Sequence, residues 1–171
     1  MRALVVYESM FGNTRTIAEE VAAGLKAHMP VEVVEVGAAT ADLADDVGLL
    51  VVGGPTHAFG MSRASTRKSA ADQADGVLVS RGDGVREWLD ALRVSAPVVA
   101  AAFDTRVRVA FMSGSAARRM HKILRRRHLR MACPPESFYV TGTKGPLEDG
   151  ERVRARDWAS ALAEAVTSQV A

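Results

Sequence analysis

The chain has 171 residues, 48% hydrophobic and 25% charged, with a net charge of +2 and one cysteine. That length fits one domain of roughly 100–200 residues with a sizeable core. The lone thiol, Cys133, excludes an internal disulfide and has no partner for a structural zinc site.

Apolar, β-prone runs at Ala3–Tyr7, Val31–Val36, Leu49–Gly53, Val98–Phe103 and Phe138–Thr141 predict five strands. Most are continuously apolar, the pattern of strands covered on both faces. After the first, Ile17, Val21 and Leu25 stand four apart, with Ala18 and Ala22 beside them, and predict a helix. The second crossover is weaker, since Asp42–Asp46 allows only a short helix. Gly76 to Gly84 reads as a loop, and Trp88, Leu89 and Leu92 as the next helical stripe. Met120, Ile123 and Leu124 form another, with Ser115 placed as its N-cap. Trp158, Leu162, Val166 and Val170 form the last. This alternation predicts an α/β fold, a doubly wound five-stranded parallel sheet of order 2-1-3-4-5. No repeat or linker divides the chain, so residues 1–171 are expected to form a single domain.

The start, Met1–Glu8, is too short an apolar run for an export signal, and no small-residue cleavage site follows. No stretch approaches the roughly 18 apolar residues of a transmembrane segment. A cytoplasmic location is therefore the expectation.

The stretch Ser9, Met10, Phe11, Gly12, Asn13 and Thr14 joins the first strand to the first helix. A phosphate there meets the positive end of a helix and free backbone N–H groups. Hydroxyls of Ser9, Thr14 and Thr16 are further donors, and Gly12 permits a close turn. The nearest cation, Arg15, can point outward. Neither Gly-x-x-x-x-Gly-Lys-Ser/Thr nor Gly-x-Gly-x-x-Gly follows the strand. A polar strand-to-helix turn with a good cap accounts for the same residues.

The run Val5-Val6-Tyr7-x-Ser9-x-x-Gly12-x-Thr14-x-x-x-Ala18-x-x-Val21 resembles the N-terminal signature of flavodoxins. The resemblance implies a flavodoxin-like fold that binds flavin mononucleotide (FMN), with Ser9, Gly12, Asn13 and Thr14 around its phosphate. It also implies two ring-contacting loops. The first, Gly53 to Gly60, offers Pro55, Thr56, His57 and Phe59; Gly-x-Pro-Thr is similar to the loop of flavodiiron proteins. An exposed loop histidine is the plain alternative for His57. The second loop follows the fourth strand as Phe103, Asp104, Thr105 and Arg106. Unlike electron-carrier flavodoxins, neither loop has a Trp or Tyr to sandwich the ring. The span Gly142 to Gly150 lacks the insertion of long-chain members. A response-regulator receiver domain shares the topology, but strand three ends in Gly53-Gly54 with no aspartate to phosphorylate.

Two basic segments remain. Arg118, Arg119, Lys122, Arg125, Arg126, Arg127 and Arg130 come with no acid among them, and Arg63, Arg67 and Lys68 follow the first ring loop. A solvated helix face explains the first cluster; docking to an acidic protein, nucleic acid or anionic membrane is the rival. Nucleic acid is the weakest, because no aromatics are interleaved. The expected function is an FMN redox protein carrying electrons between protein partners. The alternatives are a small FMN oxidoreductase acting on a quinone-like or other diffusible electron acceptor, and a flavin-free interaction module using its basic face. His57 and Arg106 beside the ring predict a less negative hydroquinone potential than in an acidic flavodoxin.

Overall fold

The computed structural model describes residues 1–109 and 114–168. Its strands are β1 (Arg2–Tyr7), β2 (Val31–Glu35), β3 (Val47–Pro55), β4 (Val99–Val107), β5 (Arg130–Met131) and β6 (Glu136–Val140). The α-helices are α1 (Asn13–Lys26), α2 (Ala64–Asp72), α3 (Val85–Ala91), α4 (Ala116–Arg126) and α5 (Glu151–Ser168). All strand pairs are parallel, in the order β2-β1-β3-β4-β5, with β6 also paired to β4. The expected order 2-1-3-4-5 therefore holds, with its last position shared by two pieces. Arg130 and Met131 lie beside Val99 and Ala100, and Glu136 to Val140 lie beside Phe103 to Val107. Pro134 and Pro135 separate them, and proline supplies no N–H to a ladder. Two residues carry no readable periodicity, so the sequence hides the first piece.

Two further expectations need correction. Asp42–Asp46 forms no helix: the second crossover holds a 3₁₀ turn at Val36–Ala38, and Asp42 bridges to Arg93. The third and fourth strands run on to Pro55 and Val107, beyond the predicted ends at Gly53 and Phe103. Pairing of Gly54 with Asp104 and of Pro55 with Thr105 extends the sheet under the loops that follow.

Alternate residues of each strand feed two cores. Leu4, Val6, Leu50, Val52, Ala100 and Ala102 face Trp88 and Leu89 of α3 and Met120 and Leu124 of α4. Ala3, Val5, Leu49, Val51, Ala101 and Phe103 face α1 and α5 through Ile17, Val21, Leu25, Leu162 and Val166. Val170, expected in the last stripe, lies outside the described residues. Phe103 packs edge-to-face with Phe138 and Trp158, centroids 6.0 and 6.3 Å away. Its ring lies across Gly53, where a Cβ would come within 2.0 Å of Cζ. Between α1 and α5, the buried Glu20 accepts from Arg152 Nε at 2.9 Å and Arg156 Nε at 3.0 Å. Burial pushes its pKa up, but the two guanidiniums outweigh that and hold it below the usual value.

Candidate functional site

At the carboxyl ends of β1, β3 and β4 lies a cleft of about 450 Å³, the place where doubly wound sheets bind ligands. Its inner end is the start of α1. Gly12 turns the chain at φ 95°, a left-handed conformation that side chains disfavour, and its N–H donates to Ser9 Oγ at 3.1 Å. Ser9 accepts that bond, so its own hydroxyl proton remains available. The N–H groups of Asn13, Thr14 and Arg15 have no acceptor within the helix, and its first turn holds no acid. Thr14 Oγ1 lies 2.7 Å from Thr105 Oγ1, which joins this loop to β4. Thr16, by contrast, donates its hydroxyl to Gly12 O at 3.0 Å and is not a free donor. Arg15 pairs outward with Glu19 at 2.9 Å.

Residues that the sequence does not single out hold this loop. Ser80 Oγ accepts from Ser9 N at 3.0 Å, Ser80 N donates to Ser9 O at 2.7 Å, and Ser80 Oγ donates to Glu35 Oε1 at 2.7 Å. The segment predicted only as a loop thus lies under the turn. Glu8 is almost fully buried beside it. Its carboxyl accepts from the Ser62 hydroxyl and, at 2.8 Å, from Val85 N at the start of α3. Burial drives its pKa up, partly offset by those two donors and by Arg67. No sequence pattern marks Glu8, since one acid after an apolar strand reads as surface.

The outer part of the cleft is lined by Pro55, Thr56, His57, Ala58 and Phe59 on one side and by Thr105, Arg106 and Val107 on the other. Ala58 and Phe59 adopt φ of 44° and 70°, closed by mutual backbone hydrogen bonds between His57 and Gly60 at 2.8 and 3.0 Å. Phe59 is 51% exposed at the lip. His57 Nδ1 lies 3.2 Å from Thr66 Oγ1. Burial, reinforced by Arg67, lowers the histidine pKa and favours the neutral ring. Of the two positive groups expected beside the ring, the charged form of His57 is thus the less favoured. The third wall is α2 through Thr66, Ser69 and Ala70, with Gln73 just past its end; the sequence reading marks only the basic stretch at its start. Its polar residues at three- and four-residue spacing were the available signal.

Several candidates lie off the cleft wall. Phe103 is a core residue, and Asp104, also fully buried, turns toward α4. Asp104 Oδ2 accepts from Thr56 Oγ1 at 2.8 Å, Ser115 Oγ at 2.6 Å and Ala117 N at 3.0 Å. Any role of these two at a ligand falls to their backbone. Thr56 Oγ1 also accepts from Ala116 N at 2.9 Å, so its hydroxyl proton is committed to Asp104. Ser115 caps α4 as expected, accepting from Arg118 N at 3.2 Å. Gly12 shapes the turn without lining the cleft. Among the described lining residues there is no Asp, Glu, Trp or Tyr. Among the described residues no cluster of His, Cys, Asp and Glu is able to hold a metal, and no helix is long and apolar enough to cross a membrane.

Comparison with known proteins agrees with this geometry. The family model for flavodoxins matches residues 5–86, which span the α1 turn and the first ring loop. No curated protein matches the chain. Among solved structures, a flavodoxin from the domain Archaea superposes with a TM-score of 0.68 at 20% identity, covering 98% of this chain and 99% of that one. Flavodoxin 1 from Bacillus cereus gives 0.70 at 17% identity, over 96% and 98%. A flavodiiron core from Synechocystis gives 0.64 at 15% identity, over 99% of this chain but 36% of its own. The strand order and these shared folds make the chain flavodoxin-like in fold, and the flavodoxin family model covers its α1 turn and the loop after β3.

Proposed function

We propose that the cleft binds FMN, with its phosphate on the amino end of α1, and that the chain passes electrons to a partner protein. The observation that carries this reading is the α1 turn. Three amides without helical acceptors, the Ser9 hydroxyl and Thr14 converge where no acid opposes an anion. Asn13 ties the turn to the next loop, donating to Lys144 O at 3.1 Å. When bound, the flavin supplies the electron chemistry; the protein fixes orientation and potential. Ser9 and Thr14 would hold the phosphate, Phe11 and Phe59 would supply apolar contact, and backbone groups of Thr105 and Arg106 would bind the ring. Absorbance of the purified protein before and after adding FMN tests this directly. A colourless protein that leaves added FMN free in solution overturns it.

The α2 wall favours a second reading. Thr66, Ser69 and Gln73 extend the cleft away from the α1 turn, giving polar groups to a diffusible, quinone-like acceptor. Turnover with a reduced nicotinamide and a quinone, without another protein, separates this enzyme from the carrier.

A further inference from the structure

We propose that the outer face of α4 is the docking surface for an acidic protein partner; as a redox partner, it rests on the flavin reading above. Between Asp104 and Glu136 the sequence contains no acid. Arg118, Arg119, Lys122, Arg125 and Arg126 are exposed, and none has a carboxylate within ion-pair distance among the described residues. At 100° per residue they fall within roughly a third of the helix circumference, opposite the buried Met120 and Leu124. On α1, α2 and α5, by contrast, several cations are neutralised: Arg15 pairs with Glu19, Lys68 with Asp72, and Arg152 and Arg156 with Glu20.

This arrangement is unfavourable for a helix that only packs. Arg118 and Lys122, and Lys122 and Arg126, repel at four-residue spacing, and two cations oppose the dipole at the amino end. Acids at these solvent-facing positions would remove that cost. Among the described residues His121 Nδ1 on the same helix is buried without a partner, and two hollows flanking α4 contain no acid in their linings.

Position and texture select a protein as the occupant. The charged face adjoins the cleft mouth: the Arg119 side chain lies over Gly60, and Phe59 packs on Gly114 just before α4. The mouth presents Phe59, Val107 and Val109, which are 51%, 36% and 45% exposed. An apolar centre beside a charged field is the anatomy of a protein interface. Residues 114–135 include no Phe, Tyr or Trp to stack a base, and α4 buries its apolar side in the core, leaving none for a membrane.

The test compares the FMN-loaded protein with a variant carrying Arg118→Gln, Lys122→Gln and Arg125→Gln. The probe is an oxidised plant-type [2Fe–2S] ferredoxin, a small acidic redox protein. A single-stranded oligonucleotide and phosphatidylserine vesicles are the competing anions. Saturable ferredoxin binding should weaken about tenfold as ionic strength rises from about 0.01 to about 0.15 M, where the screening length falls from about 30 to about 8 Å. The variant should lose a comparable factor while keeping its fold and its flavin absorbance. Ferredoxin binding that is absent, or equal in the variant, overturns the proposal, as does tighter α4-dependent binding of oligonucleotide or vesicles. A preparation that takes up no FMN yet binds ferredoxin through α4 supports the docking face and refutes only the flavin reading.

Discussion

Asp104 joins the fold to the candidate site, and its removal is predicted to be among the most damaging single changes. Its Oδ2 receives three donors at 2.6–3.0 Å in a fully buried position. In Asp104→Ala the Thr56 hydroxyl, the Ser115 hydroxyl and the Ala117 N–H lose their acceptor together. Each stranded donor costs about 1–3 kcal/mol, and partial rearrangement brings the total to about 3–5 kcal/mol. Asp104→Asn keeps one carbonyl oxygen for those donors. Since Oδ1 has no partner among the described residues, the new amide group strands only itself, at about 1–2 kcal/mol. Urea denaturation followed by circular dichroism measures both, with an unchanged m-value as the check on two-state behaviour. Equal losses for Ala and Asn, or a loss below about 1 kcal/mol for Ala, would refute the reasoning.

Other predictions address the turn, the ring and the buried acid. Gly12→Ala should cost about 1–2 kcal/mol through its positive φ, because a Cβ there meets no protein atom; urea denaturation measures this, and FMN titration should show weaker retention. Thr14→Val should weaken FMN binding by about 1–3 kcal/mol, seen by titration of flavin fluorescence. Arg106→Gln should make the hydroquinone potential more negative. A unit charge about 10 Å away at an effective dielectric of about 20 is worth about 1.7 kcal/mol, or about 70 mV, in a redox titration. For Glu8 the folded pKa lies above its ordinary 4.5, so the native state binds the extra proton. Its contribution is most favourable below that value and is lost as pH rises toward the folded pKa. Glu8→Gln should flatten that decline in denaturation measured across mildly acidic to neutral pH.

Much of this was legible in the sequence because it is local or periodic. Continuous apolar runs reveal a doubly covered sheet, and the Ser9-to-Thr14 turn lies within a few residues of chain. The rest depends on distant neighbours. Glu8 and Ser80 look like ordinary polar residues until α3, Ser62 and Glu35 are folded against them. Phe103 and Asp104 sit at a predicted strand end, yet pairing continues to Val107, so their side chains enter the interior. His57 reads in sequence as a titratable loop residue, and only the fold shows that burial, reinforced by Arg67, lowers its pKa.

The clamp of Glu20 by Arg152 and Arg156 has a consequence for how the site matures. The helix whose tip is the proposed anion cradle is braced by residues 132 and 136 positions further along the chain. During synthesis this turn therefore emerges well before the segment that braces its helix. On the proposed flavin reading, a ribosome-stalled fragment lacking the bracing helix should take up added flavin far less readily than the released chain.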